Sequence, residues 1–590
     1  MDDVLRPGAD ARRCIVKARI VRNTARGMRA ARLHLAYIER DGVERDGSAG
    51  RLYGRGEEID RAMLCDASPG ERHQFRFIVS PEDEIDLTTF TRQLMRRMED
   101  DLGMRLQWGA VNHYNTDNPH AHVVVRGLSE AGREVWIDRA YISERMRWQA
   151  QHILTQELGP RPEHVIERQL DREVGLERVT SLDRRLAATL DRDGTTDLAR
   201  IGRERDERAR RRLVGRLQTL ETLELARRTG PASWQLDADW QLALRQLAER
   251  REIAERVDRV MGRSVDRTRC EVLDGGMDRE PFEGVVRRKG LHNELGGEGY
   301  AIIETPRGNA AYVRLDLATA ESLTEGAVAR VSVERQRWAK AIDRVLEQVA
   351  RENGGVYDAK AHLRDLQRGP IVIEGRTVPA EEILAANARR LARLERHRLV
   401  MRIYEHRWRV PADLVKQLEA RDISHPRRLV RARAVAPSLE RQVTVRGPCW
   451  LDMQDPTIPR APYGLGATLG AAMKERDRFL DGLGIAREPR ERRLRALERL
   501  QQMDVARDLA RQHGVALMPE PVPGLRGRLL ALEERAPGAP LAYVLDKANR
   551  RMALVPMPAN GRELVGRAVT LGRDRQGRLL IRPDGLERGL

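Results

Sequence analysis

Three histidines, His113, His120 and His122, fall within ten residues of a 590-residue chain that has only 13. The run is Gly109-Ala-Val-Asn-His-Tyr-Asn-Thr-Asp-Asn-Pro-His-Ala-His-Val-Val-Val-Arg-Gly127. His120 and His122 are separated by Ala121 and lead into three valines. Side chains at i and i+2 of a strand share a face, so these two imidazoles are expected side by side. His113 ends the apolar run Trp108 to Val111, which reads as a neighbouring strand, and Asn115 to Pro119 is turn chemistry. A hairpin here gathers three imidazoles on one sheet face. That set suits a divalent metal that keeps positions open for a substrate.

The pattern His113-x-Asn115-x-x-x-Pro119-His120-x-His122 resembles motif III of the conjugative relaxases in the HUH endonuclease superfamily. The likeness is to the branch of plasmid mobilisation relaxases and the border-nicking relaxase of tumour-inducing plasmids. That branch usually has Asp where this chain has Asn115, and Asn supplies no negative charge to a histidine N–H. Two more segments resemble the family, in the family's order. His34-Leu-Ala-Tyr37-Ile-Glu-Arg-Asp-Gly42 is similar to motif I, which implies that Tyr37 is the nucleophile. Tyr53, Tyr114 and Tyr141 are the other N-terminal tyrosines considered. Tyr114 follows His113 and would point to the opposite strand face; Tyr53 sits in a Gly-flanked loop; Tyr141 begins a helix. His73-Gln-Phe-Arg-Phe-Ile-Val-Ser80-Pro81-Glu82-Asp83 resembles motif II, which implies a DNA contact for Ser80. Glu82 and Asp83 are expected to orient the histidines, since ligating imidazoles usually donate their other N–H to an acceptor. Asn115 and Asp117 are assigned the same role. Arg40 and Arg126 are further candidate DNA contacts. The resemblance covers roughly residues 10–165.

It implies a site- and strand-specific nick at an origin of transfer. Mg2+ or Mn2+ on the histidines would polarise the scissile phosphate, and Tyr37 would end on a 5′-phosphotyrosyl bond. The implied partners are single-stranded and duplex DNA at that origin, accessory relaxosome proteins and a type IV secretion coupling protein. Two alternatives stay open: a rolling-circle replication initiator with related chemistry, and a non-catalytic DNA-binding regulator whose histidines are structural.

Composition is consistent with a nucleic-acid partner. The net charge is +17, and only seven of the 107 basic residues are lysine. An arginine fork pairs two phosphate oxygens, although an arginine-favouring codon bias contributes to the same excess. Aromatic residues make up only 4%, so base stacking is not expected to dominate. Cys14, Cys65, Cys270 and Cys449 are far apart and form no CxxC pair, which argues against a zinc knuckle or disulfide framework and suits a reducing compartment. No apolar leader and no run of about 18 apolar residues is present, so no membrane insertion is expected. The expected location is the bacterial cytoplasm, with passage to a recipient cell alongside DNA.

The positioning elements read as an α+β protein. Residues 1–165 are expected to form an HUH-type antiparallel sheet with helices, with strands at Cys14–Val21, Phe75–Val79 and Glu134–Ile137 around the histidine hairpin. Helices are expected at Gly27–Glu39, Leu87–Leu102 and Tyr141–Leu158. A charged helical linker (166–212) follows. Then come a winged-helix-like repeat (213–280), a small barrel-like β domain (281–336), a helical and second winged-helix-like segment (337–440), a helical region (441–520) and a second small β domain (521–590). The first duplication is ungapped: Arg216, Leu217, Leu220, Glu221, Leu225, Arg228, Trp234 and Asp239 recur 174 residues later. A weaker one relates Gly284 and Tyr300 to Gly527 and Tyr543, 243 residues on.

Overall fold

The computed structural model describes residues 7–584 apart from 23–24, 57–58, 60, 66–70, 117, 202–205, 263–269, 294, 296, 370, 374–375, 519, 532–540, 558–560 and 575. Four strands, β1 (Cys14–Arg22), β2 (His73–Pro81), β3 (Leu106–His113) and β4 (His120–Ser129), make an antiparallel sheet of order β1-β2-β4-β3. Alternation sends Phe75, Phe77, Val79, Val123 and Val125 into a core with the helices Leu87–Leu102 and Met146–Leu158. The first of these helices starts where Asp86 accepts the amides of Thr88 and Thr89, and stops at Gly103 with φ 60°. The opposite sheet face carries Val111 and Val124 and is covered by α1 (Ala25–Ile38) through Leu35 and Ile38. Burial on both faces explains the consecutive valines Val123–Val125 in β4. Two local expectations change. Glu134–Ile137 is no strand and makes only the bridge Leu128 to Glu134, and Tyr141–Arg145 is a π turn before its helix.

The expected linker over 166–212 is not a separate element. The helix Ser181–Ala187, strand Thr195–Asp197 and helix Leu198–Ile201 pack with the helix Glu207–Thr222 and the hairpin Ala226–Gly230/Ser233–Leu236 around Trp234. This is the helix, strand and wing order of a winged helix-turn-helix, with the first strand pairing beside the hairpin. The second unit repeats it with helix Ala341–Glu352, strand Val356–Asp358, helices Ala359–Leu366 and Ala380–Arg396, and hairpin Met401–Tyr404/Arg407–Arg409 around Trp408.

Each unit is closed by one buried arginine. Asp183, in the first turn of its helix, accepts the Thr180 N–H and pairs with Arg216 at 2.8 Å; Asp343 accepts the Lys340 N–H and pairs with Arg390 at 2.6 Å. The arginines recur at an offset of 174 but the aspartates at 160. The hairpin Ile371–Ile373/Arg376–Val378 lies in the stretch where the offset changes, so the upstream half of the repeat is hidden from an ungapped reading. A third clasp closes the region expected only to be helical: Asp452 accepts the Cys449 N–H and pairs with Arg476 at 2.9 Å.

The two β regions are open six-stranded sheets, not barrels. In the first, Arg427–Ser438, Ala327–Gln336, Phe282–Asn293, Glu298–Glu304, Ala310–Asp316 and Cys270–Leu273 lie side by side. Arg427–Ser438 therefore leaves the second winged unit to pair with Ala327–Gln336, and that unit is an insertion between two neighbouring strands. The C-terminal sheet has the same strand order, including a parallel edge strand. Gly284 and Gly527 mark equivalent strands. A Cβ at either would lie 2.3 or 2.5 Å from a neighbouring strand's carbonyl oxygen, so both must be glycine.

Candidate active site

Register gathers the histidines. His113 faces His120 across β3 and β4, and His122 pairs with Val111 on one side and Ile78 on the other. All three are buried, at 0, 6 and 1% exposure, and their candidate ligand atoms lie within 4.8 Å of one another. His120 Nε2 and His122 Nε2 are 3.2 Å apart. Two nitrogens about 2.1 Å from one ion in tetrahedral or octahedral geometry would be about 3.0–3.4 Å apart, so the pair fits neighbouring ligand positions.

The outer nitrogens are also set. His113 Nε2 donates to the Ile38 carbonyl at 2.8 Å, and His120 Nδ1 donates to the Asn118 carbonyl at 2.9 Å. A carbonyl only accepts, so those nitrogens carry the protons and His113 Nδ1 and His120 Nε2 keep their lone pairs. Burial, then the neighbouring His113 and His120, holds the His122 pKa well below its usual range, which favours the neutral ligand form.

Backbone carbonyls thus take the orienting role expected of acidic residues. Asp83 instead pairs with Arg12 at 2.7 Å, and Glu82 is exposed beside β1. Asn115 is exposed and lines a cleft with Tyr37 and Arg40, while Asp117 lies outside the described residues. Ser80 is buried and donates to the Pro119 carbonyl at 3.1 Å, which pins the loop just before His120. Arg126 is corrected as a DNA contact: it is buried, bonded to Glu71 at 2.6 Å and to Gln107 at 2.9 Å.

Tyr37 stands at the end of α1, one residue before the carbonyl that holds His113. Arg40 stacks on its ring with 4.0 Å from guanidinium carbon to centroid, and Arg40 is among the charges that keep His122 neutral. The other tyrosines are used elsewhere. Tyr53 donates to Asn112 at 2.7 Å and Tyr141 to Gln149 at 3.1 Å, both are buried, and burial pushes both phenols well above their usual pKa. Tyr114 lies under Arg45, 4.7 Å from its ring.

Two residues on this face were missed. His34, one helical turn before Tyr37, is buried with its ring 6.0 Å from His122; the i, i+3 spacing was the available signal. Arg76, on β2 opposite Val124, is buried at 2% exposure, bonds only Gln74 at 3.2 Å, and has no carboxylate partner among the described residues. Its position in an otherwise apolar strand motif was legible, but its lack of a partner was not.

Fold and site together define a mixed α/β protein whose N-terminal sheet carries a histidine triad beside a tyrosine-bearing helix. Residues 213–579 match the family described as "Protein of unknown function (DUF3363)", which is more than half of the chain, and the chain belongs to that family. The histidine sheet precedes the matched region. No match was found among curated proteins or solved structures.

Proposed function

We propose that the protein is a DNA relaxase: a nickase that cuts one strand at an origin of transfer and stays joined to it through Tyr37. One observation carries the reading. The residue after Tyr37 is hydrogen-bonded to a histidine of a buried triad with ligand geometry, so helix and triad are held as one unit. The three segments that resemble relaxase motifs supply the rest of the support.

Tyr37 would attack the phosphorus in line. The Oη–P bond forms, the P–O3′ bond breaks, and the proton lost by the phenol is balanced by the one the 3′-oxygen takes up. The 5′-phosphotyrosyl bond keeps a phosphodiester linkage, so a 3′-hydroxyl can reverse the step. A divalent ion such as Mg2+ or Mn2+ on His113, His120 and His122 would supply charge stabilisation at the non-bridging oxygens. Arg40 holds the phenol ring and places a positive charge near the triad. Ile38 and Asn118 fix the tautomers of His113 and His120. Accessory relaxosome proteins and a secretion coupling protein are the partners this reading requires.

The test is peptide mapping of covalent adducts on origin-like single-stranded DNA with Mg2+ or Mn2+. An adduct on Tyr37 that is absent in Tyr37→Phe and reversed by a free 3′-hydroxyl is the expected result. An adduct on Tyr53 or Tyr141, or hydrolysis without an adduct, would refute it.

A second reading, a DNA-binding regulator, is favoured by the two winged units. They differ at the helix that would enter a groove. In the first, Arg208 and Arg212 of Glu207–Thr222 pair with Glu167 of the earlier helix Glu163–Glu173, Arg212 also with its Asp171, and Arg211 with Glu207. In the second, Arg389 and Arg396 of Ala380–Arg396 are exposed. Duplex binding without any adduct would favour this reading.

A further inference from the structure

The first six-stranded sheet reaches the candidate nucleophile. α1 packs against the helix Leu317–Ser322, and the Leu291 N–H donates to Tyr37 Oη at 3.2 Å. A cleft of about 470 Å³ lies alongside. Tyr37, Arg40, Asp41 and Asn115 form one wall, and Arg288 and Lys289 of Phe282–Asn293 the other. Lys289 is one of only seven lysines in the chain. Arg40 has no carboxylate partner among the described residues. The other two cations are held by carboxylates in the same cleft: Lys289 Nζ is 3.2 Å from Glu321 Oε2, and Arg288 Nη1 is 3.8 Å from Glu325 Oε2. These pairs are partly exposed, and such pairs are weak and readily exchanged.

We propose that this cleft binds the phosphodiester backbone of single-stranded DNA, with Arg40, Arg288 and Lys289 as phosphate contacts. Glu321 and Glu325 are the carboxylates that the phosphates displace. The choice of ligand rests on Tyr37 as nucleophile, because a strand cut by Tyr37 must pass within reach of its hydroxyl. The arginines offer paired donors to two phosphate oxygens and the lysine a point charge. The strand has to be unpaired for its phosphate to reach the Tyr37 hydroxyl, so the ligand is a single strand. The family-matched region thereby contributes directly to the site on the N-terminal sheet.

The experiment uses the full chain in EDTA, so that no strand is cut, and a labelled mixed-sequence 30-nucleotide single strand followed by anisotropy over a salt series. Two lost phosphate contacts should reduce the salt slope by about 1.4 and, at about 0.15 M salt, weaken binding on the order of tenfold in Arg288→Ala/Lys289→Ala. Glu321→Gln/Glu325→Gln removes the competing carboxylates and should tighten binding, an effect that a misfolded variant would not give. A 30-base-pair duplex should be bound by both variants as by the parent. An unchanged single-strand slope in the first variant, or unchanged or weaker binding in the second, overturns the proposal; an equal loss on duplex overturns the single-strand assignment. The adduct experiment separates this proposal from the relaxase reading. An adduct on Tyr37 with unaltered affinity in Arg288→Ala/Lys289→Ala removes the cleft alone. The predicted affinity changes without any adduct remove the relaxase and leave a single-strand binding cleft.

Discussion

Arg76→Met should stabilise the N-terminal sheet. Arg76 is buried on β2, and burial, with Arg19 opposite it on β1, lowers its pKa to about 10. The unfolded chain holds arginine in its usual, higher range. That difference amounts to about 3 kcal/mol against the charged form in the folded state. At neutral pH the guanidinium is charged in both states, so the folded sheet bears the full penalty. Methionine keeps the length of the stem and removes the charge. Gln74 loses the donor it has at 3.2 Å. Subtracting about 1 kcal/mol for that loss leaves a net gain of about 2 kcal/mol. Native-state hydrogen exchange of the β2 and β4 amides in the full chain should then slow roughly thirtyfold. The pH dependence gives a second reading. The folded pKa lies below the unfolded one, so the penalty is complete below about 10 and is relieved as pH rises through it. Wild-type stability should climb relative to the variant in that window. Faster exchange in Arg76→Met would refute the reasoning, because it would mean that the guanidinium has a stabilising partner in solution.

The remaining predictions concern the triad and the clasps. His120→Ala should abolish high-affinity Mn2+ binding by calorimetry while circular dichroism is unchanged; an unaltered isotherm would remove the metal assignment. Asp183→Ala leaves Arg216 buried without its carboxylate and should cost about 3–5 kcal/mol of the first winged unit's stability by hydrogen exchange, whereas Asp183→Leu/Arg216→Met should cost much less. Glu71→Gln strips the partner of Arg126 and should destabilise the sheet without altering the salt slope of single-strand binding, since Arg126 faces Glu71 and Gln107 and not solvent.

Much of the site was legible because strand periodicity is local. The i, i+2 spacing of His120 and His122 placed them on one face before any pairing was known, and the turn residues brought His113 opposite. The ungapped offset of 174 likewise exposed the winged units, whose Leu and Trp positions must fill equivalent cores. Pairing across long separations was not legible. His113 takes its proton acceptor from Ile38, 75 residues away, and Arg126 takes Glu71, 55 residues away. The strand Arg427–Ser438 leaves a helical unit to complete a distant sheet, and Leu291 meets Tyr37 across 254 residues. Side-chain spacing encodes which face a residue occupies, because backbone geometry repeats every two or 3.6 residues. Which donor meets which acceptor depends on how the faces pack, and that is decided only when the whole chain buries its polar groups together.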